Sequence, residues 1–344
     1  MKKRVLFIAD WPNNLENKKV LQTLLDKDYS ENYEWTVWSC KKRKDNGLLY
    51  RWLCYAKGAL YAIKNRKKYD AIIMWQQMVG YILFEIVSII HLKIPETVLY
   101  TFIYNSSTRS KYFQKHMVKN ALRHSKAIIW DSSEMSQEVK NDFPEFAFKN
   151  HSTLNPVMDV IDATLPVDKE FDVPYFRNGV YTAGRSERDF DIVIRAFRNT
   201  DIPVTIVCAD EYVFTETDIT SNIRILRFSQ VSNEQYYALA GQAFCILISV
   251  MNEKSSVGQL IIAFAMENSK PIIATECYGV RDYIVNNKNG ILFKVGQSEE
   301  IVKCYEKLKN DETFKNNLIS QAKITLKEMS PGIFIERVIK IIEK

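Results

Sequence analysis

Short apolar runs of strand type alternate with helical runs along this chain, and the alternation starts twice. In the first half Arg4–Ala9, Tyr33–Ser39, Asp70–Trp75, Thr97–Ile103 and Ala127–Trp130 read as strands. Helices fit Leu15–Leu25 and Glu134–Asn141, the second opened by the capping run Asp131, Ser132, Ser133. The stretch 150–172, weakly periodic and carrying Pro156 and Pro166, interrupts the pattern and reads as a linker. Beyond it, Gly179–Ala183, Val204–Ala209, Ile223–Phe228, Phe244–Ser249, Ile272–Thr275 and Gly290–Phe293 read as strands. Asp189–Arg198, Asn233–Ala240 and Gln259–Asn268 read as the helices between them, and further helices follow from about Ser298. Continuous apolar strands separated by helices need cover on both faces, which a parallel sheet with helices on either side provides. Two such sets in 344 residues make two α/β domains of ordinary size.

The totals exclude several classes. An apolar fraction of 47% with 26% charged residues is that of a globular protein, not of a disordered or fibrous one. Six cysteines (Cys40, Cys54, Cys208, Cys245, Cys277, Cys304) are scattered without a C-x-x-C pair, which predicts reduced thiols rather than a disulfide framework or a zinc site. The N-terminal MKKRVLFIAD is too short in its apolar part for a signal peptide and reads as a strand. The longest apolar stretch, Met78–Leu92, is broken by Glu85 and falls short of a membrane span, so none is expected.

The stretch Glu253–Val285 is the densest in features. A small-residue turn, Ser255-Ser256-Val257-Gly258, leads into a nearly all-apolar helix. Lys270-Pro271 ends that helix and leads into a strand, and a second turn carries Gly279, Arg281 and Asp282. Bare N–H groups at a helix start favour an anion, and an apolar circumference favours a buried helix. The pattern also fits an α/β unit with no ligand.

Charge is unevenly spread although the net value is only +6. Residues 41–68 hold ten Lys or Arg, including Arg51, Lys57 and Lys64, against the single acid Asp45, interleaved with Leu49, Trp52, Leu53, Leu60 and Tyr61. Cations mixed with amphipathic rings suit an anionic membrane surface. A core-facing helix with a solvated basic face is the alternative. A second acid-free stretch, Thr108–Lys126, carries Arg109, Lys111, Lys115, His116, Lys119 and Arg123 after the fourth strand, at the sheet end where α/β ligands bind. No recognition motif accompanies either patch, so nucleic acid is not expected as a partner.

The second half resembles glycosyltransferase family 4. YTAGRSERDFDIVIRAF, Tyr181–Phe197, resembles the opening of that family's donor domain, where a strand ends in Gly-Arg before a helix. Asn222–Ser249 resembles the part that follows. AMENSKPIIATECYGVRDYIVNNKNGILF, Ala265–Phe293, resembles the family's Ala-Met-x-x-Gly-Lys-Pro segment and its Gly-x-x-(Asp/Glu)-x-(Ile/Val) and Asn-Gly loops. The resemblance covers roughly 175–325 and is weak before that. It implies a GT-B fold, two Rossmann-like domains facing an interdomain cleft. Residues 1–165 would then form an acceptor-binding domain and 166–328 a nucleotide-sugar-binding domain, with 329–344 a helix packing back on the first.

Two departures stand out. The family brackets its donor with two glutamates eight positions apart, and those positions hold Ser256 and Phe264 here. Gln259 and Glu267 have the right separation in the wrong frame, and Gln259 is positioned to take over a polar contact. In the family's Arg-x4-Lys motif Arg185 matches, whereas the lysine position is Phe190 and Arg188 is the nearest cation.

By the resemblance, Arg185 and Arg188 with the turn Ser255, Ser256, Val257, Gly258 and Gln259 would stabilise a departing diphosphate without a metal. Gly184, Gly279 and Arg281 would flank it, Phe228 would pack on the base, and Glu253 would meet sugar hydroxyls. A surface salt bridge for Arg185, helix capping beside Arg188, plain core for Phe228 and a solvated acid at Glu253 are the alternatives. Asp10 is the candidate for orienting an acceptor hydroxyl, or else a turn residue. Asn105, Arg109, Lys111 and His116, with Trp52 and Lys57, are candidates for acceptor or membrane contacts. The implied function is retaining, metal-independent transfer from a nucleotide sugar, by expectation a UDP-sugar, to a membrane-associated glycan or lipid-linked acceptor in bacterial surface polysaccharide synthesis. The enzyme would be cytoplasmic, peripheral on the inner face of the membrane. A nucleotide-sugar-binding partner subunit with weak catalysis, or a sugar-nucleotide epimerase of the same fold, are the competing readings.

Overall fold

The structure, a computed structural model, describes residues 2–9, 15–40, 48–75, 77–101, 104, 111–156 and 165–344, the side chains of 15–20, 48 and 111 excepted. It divides into two units, Met1–Thr153 with Phe334–Lys344, and Leu154–Ile333.

The first unit follows the order β1 (Lys3–Ile8), α1 (Leu15–Asp28), β2 (Tyr33–Trp38), α2 (Leu48–Asn65), β3 (Ala71–Met74), α3 (Gln77–Ile90), β4 (Glu96–Thr101), α4 (Lys111–His124), β5 (Ala127–Trp130), α5 (Ser133–Asp142) and β6 (Asn150–Ser152). The strands form one parallel sheet in the order β2-β1-β3-β4-β5-β6. Val5 sits between Trp35 and Ala71 in register. β3 and β5 are buried throughout, as continuous apolar runs covered on both faces must be. β2, at the edge, buries only alternate residues, Tyr33, Trp35 and Val37. Ser132 caps α5 by accepting from Met135 N–H. The short β6 has no apolar pattern to announce it. It is held by Asn150, whose Oδ1 accepts from Trp130 Nε1 at 3.0 Å and whose Nδ2 donates to Phe146 O.

The second unit contains β7 (Val180–Gly184), α6 (Phe190–Phe197), β8 (Val204–Cys208), β9 (Ile223–Arg227), α7 (Asn233–Gln242), β10 (Cys245–Ile248), α8 (Gln259–Glu267), β11 (Ile272–Thr275), α9 (Tyr278–Arg281), β12 (Ile291–Phe293), α10 (Ser298–Asn310) and α11 (Glu312–Glu328). Its sheet is again parallel and six-stranded, in the order β12-β11-β10-β7-β8-β9. Two Rossmann-like units of this kind are the GT-B fold. The last helix, α12 (Pro331–Glu343), belongs to the first unit from Phe334 on. There Phe334 meets Trp75 at 4.9 Å and Tyr100 at 5.5 Å, both edge to face.

The division between the units falls at Thr153/Leu154. The segment after it is tied to the second unit. Asn155 N–H donates to Tyr283 Oη at 2.7 Å, and Gln235 holds both Asp168 N–H and Pro166 O.

One expectation is overturned. Cys40, just beyond β2, and Cys54, within α2, form a disulfide with Cα atoms 5.7 Å apart. The other four cysteines are free. A separation of fourteen residues matches no thiol motif, and only the packing of α2 beside β2 brings the two sulfurs together.

Candidate functional site

In an open parallel sheet, ligands bind beyond the carboxyl ends of the strands, where the strand order reverses direction. In the second unit that point lies between β7 and β10, because β8 adds on one side of β7 and β10 on the other. The residues that follow these two strands meet there. Arg188 makes an antiparallel bridge with Val250, and Asp189 N–H donates to Ser249 O at 3.2 Å. Asp189 also caps α6 through Ile192 N–H, which leaves Arg188 to turn inward.

Arg188 is 7% exposed. Its Nε donates to Ala183 O at 3.1 Å and its Nη1 to Ser186 O at 3.3 Å, and no carboxylate pairs with it among the described residues. Burial draws its pKa down, as it must for a cation taken from water without a counter-charge. Two glycines make the space. A Cβ on Gly184, which has φ +154°, would stand 2.4 Å from Arg188 Nε. Gly258, with φ +105°, caps α8, and a Cβ there would stand 3.8 Å from Arg188 Nη2. The buried cation therefore lies at the positive end of α8.

Gly258 at that end offers no side-chain cap, where a Ser or Asp would supply one. Ser249 Oγ and Ser255 Oγ are buried without a hydrogen-bond partner. The rest of α8 is core, and Ile261, Ile262, Phe264, Ala265 and Met266 are all buried. Phe264, where the resemblance expects a glutamate, packs on Tyr237 at 5.1 Å. At the other expected glutamate position, Ser256 Oγ accepts from Gln259 Nε2 at 3.1 Å.

The second turn is joined to the first backbone to backbone. Gly279 N–H donates to Ser255 O and Tyr278 N–H to Glu253 O. A Cβ on Gly279 would come within 2.5 Å of Ser256 Cα and Val257 N, so only glycine fits. Burial pushes the Cys277 thiol up to about 12, against the Gly279 N–H and the charges of Arg188 and Arg281.

Of the sequence candidates, Gly184, Arg185, Arg188, Phe228, Glu253, Ser255, Ser256, Val257, Gly258, Gln259, Gly279 and Arg281 form one chain of contacts. Arg185 is exposed, and its guanidinium lies over the Phe228 ring at 4.4 Å, with Phe228 stacked on Tyr236 at 5.6 Å. Glu253 and Arg281, expected as separate ligand contacts, pair with each other at 2.7 Å. Arg281 also lies 3.9 Å from Glu276. Ser249, Tyr236 and Tyr237 complete the surroundings and had no signal in the sequence beyond strand or helix pattern. In the first unit Trp52 and Lys57 lie exposed on α2, and His116 on α4 faces Glu85 at 3.4 Å. Asp10, Asn105 and Arg109 fall outside the described residues, as does the Lys111 side chain. Among the described residues no group of three or more His, Cys, Asp or Glu is placed to hold a metal ion.

Comparison with known proteins bears on this unit directly. The family model "Glycosyl transferases group 1" matches residues 228–325, from the ring under Arg185 through the α8 turn to α11. No curated protein matches the chain. Among solved structures, a glycosyltransferase from Rickettsia africae superposes with a TM-score of 0.66 at 15% identity, over 99% of this chain and 98% of its own. Alr3699/HepE of Anabaena, in complex with UDP, gives 0.65 at 15%, over 99% of each chain. A sucrose-phosphate synthase from Thermosynechococcus elongatus gives 0.69 at 10%, over 99% and 98%. At these identities the superpositions speak for the fold. With the two parallel sheets they give this chain the GT-B fold, and the matched segment gives residues 228–325 as a glycosyl transferases group 1 domain, which is what marks the chain as a glycosyltransferase.

Proposed function

We propose that the chain transfers a sugar from a nucleoside-diphosphate donor, a UDP-sugar, to a lipid-linked or glycan acceptor at a membrane surface, in bacterial surface polysaccharide synthesis. The observation that carries the donor half is Arg188, a buried cation that no carboxylate pairs with among the described residues, at the N-terminus of α8. A buried charge is costly until it is paired, and a diphosphate supplies the pair. Alr3699/HepE, whose fold this chain shares, was solved with UDP and with UDP-glucose, which supports a uridine nucleotide here. Phe228 and Tyr236 offer an aromatic stack for the base, and Arg185 is the exposed cation beside it.

In this reading the bond from the sugar C1 to the diphosphate oxygen breaks as a bond from C1 to the acceptor oxygen forms on the same face. The acceptor proton passes to the departing diphosphate, so configuration is retained and no separate base is needed. Arg188, Arg185 and the α8 amides carry the charge that develops on the leaving group, the work a metal does elsewhere.

The acceptor half rests on α2. Its fully buried residues are small, Gly58, Ala59 and Ala62, with Tyr55, Tyr61 and Ile63 packed beside them against the core, while Leu49 (76% exposed), Trp52, Leu53 and Leu60 point outward with Lys57 and Lys64 beside them. An apolar stripe edged by cations is the composition of a helix that lies in an anionic bilayer interface. Among the described residues no helix is long and apolar enough to cross a membrane, so this reading has the chain peripheral, on the inner face. A second reading, a nucleotide-sugar-binding partner with weak catalysis, draws on Phe264 and Ser256 standing where the resemblance places glutamates.

Differential scanning against uridine, UDP and UDP-sugars tests the donor site. A ligand at a hundred times its Kd stabilises the native state by about 2.7 kcal/mol. UDP and UDP-sugars should raise the melting temperature by several degrees and uridine should not; equal shifts would remove the diphosphate from the reading. Binding without donor turnover on lipid-linked acceptors would favour the partner subunit.

A further inference from the structure

We propose that a cleft on the first unit, where the Arg66–Lys68 turn faces the loop between α3 and β4, seats the phosphate headgroup of an anionic phospholipid. The proposal rests on the peripheral reading of α2 and adds to it a second point of attachment with its own chemistry. The cleft has a volume of about 360 Å³ and is lined by Arg66, Lys67, Leu92, Lys93, Ile94 and Pro95. Three of these six are cations and none is an acid. The turn Arg66–Lys68 buries no residue, and none of Arg66, Lys67 and Lys93 has an ion-pair partner among the described residues.

The acids nearest in sequence are taken. Asp70 is held by Arg4, through both its N–H and its guanidinium, and Glu96 by Lys126 at 2.6 Å and Lys3 at 3.3 Å. These contacts hold both carboxyls below their ordinary range, so they stay charged and engaged at neutral pH. Arg66 Nη1 donates to Ile63 O at 2.9 Å, which anchors one end of that guanidinium to the last turn of α2. The cleft therefore gathers positive charge that nothing in its own neighbourhood neutralises.

Its apolar border identifies the source of the phosphate. Ile89 and Ile90, in the last turn of α3, are 74% and 56% exposed, just before Leu92 and Lys93 of the lining. A recess of cations edged by exposed branched side chains matches the boundary between headgroups and acyl chains. A soluble phosphate would gain nothing from the isoleucines. The turn that lines the cleft also follows α2 directly in the chain. That helix ends at Asn65, directly before the turn, and packs on α3, where a Cβ on Gly58 would touch Val79 at 3.0 Å. Two contacts, one along α2 and one at its end, fix an orientation on the bilayer that a single amphipathic helix leaves free to roll.

Co-sedimentation of the full chain with vesicles of phosphatidylcholine, with and without phosphatidylglycerol, tests this against four variants whose melting temperatures match the wild type. Arg66→Gln/Lys67→Gln/Lys93→Gln should weaken binding to anionic vesicles about a hundredfold. Lys303→Gln/Lys323→Gln/Lys327→Gln, the same charge change on exposed positions of the second unit, should leave it within about twofold. Ile89→Ser/Ile90→Ser, which changes no charge, should weaken it about tenfold. If Trp52→Ser/Leu53→Ser abolishes binding while both cleft variants bind as wild type, the α2 reading stands and the cleft proposal falls. If the wild type binds neither vesicle, both fall. If inorganic phosphate stabilises the wild type and not the cleft variant, and the isoleucine pair is silent, the site takes a soluble phosphate and the lipid assignment is overturned.

Discussion

On α4, Lys115 bonds Asp142 at 2.7 Å, His116 faces Glu85 at 3.4 Å and Lys119 faces Glu145 at 3.5 Å; on α2, Arg51, Lys57 and Lys64 have no carboxylate partner among the described residues. As sequence the two helices are alike, since both lack acids and both mix cations with aromatic residues. Their difference lies in what stands opposite. Acids from α3, α5 and the turn after it reach α4, and Asp142 is also bonded by Tyr104, whose hydroxyl pKa is raised by burial and by that carboxylate. α4 uses its charge to tie the unit together, and α2 presents its charge outward. Arg281 and Arg188 repeat the contrast in the second unit. One is clamped by Glu253, and the other is buried with only carbonyl oxygens for company. Charge composition along a segment thus says little about availability until the acids that face it are known.

The contrast can be broken at its strongest point first. Arg188→Ala should lower sugar transfer about a thousandfold and remove the thermal shift on adding UDP, with Arg188→Lys recovering part of both. A full UDP shift in the alanine variant would mean that the buried cation is structural. Arg185→Ala should cost about a hundredfold in transfer while the melting temperature stays put, because its side chain is exposed and lies over the Phe228 ring. Next, Trp52→Ser/Leu53→Ser should weaken binding to anionic vesicles about thirtyfold. His116→Gln/Lys119→Gln on α4 should change it less than about twofold, since those side chains already face Glu85 and Glu145. Equal losses from the two helices would erase the distinction. The smallest effect on transfer belongs to Arg281→Ala, expected at about threefold, as its partner Glu253 is a solvent-facing acid.

The fold was readable because its physics is local. Strand runs, the Ser132 cap and the Pro271 break each leave a pattern within a few residues. The two arginines were also readable from a Gly-Arg following a strand. Which of them is buried was not, because that depends on Gly184 at the end of β7 and Gly258 at the start of α8 approaching the same side chain. The Glu253–Arg281 pair joins two turns 28 residues apart and has no one-dimensional trace. On α2 a trace did exist in the small residues Gly58, Ala59 and Ala62. They let the helix sit close against Trp38 and Val79, with Tyr61 stacked on Trp38, while Leu49, Trp52, Leu53 and Leu60 face away. Cys40 and Cys54 gave no warning of their disulfide, since spacing carries no information on how two elements pack.

The contact of Gly279 with Ser256 and Val257 has a consequence for selectivity. Backbone bonds from Gly279 and Tyr278 fix the loop Glu253–Gly258 in the folded chain. Ordering a residue costs about 1–2 kcal/mol in conformational entropy, and here folding has already met that cost for the whole turn. A ligand arriving at α8 finds less loop freedom to quench, so less of its contact energy is spent on ordering the turn. The same restraint limits accommodation. A tethered loop favours ligands that match its shape over those to which it would have to adapt.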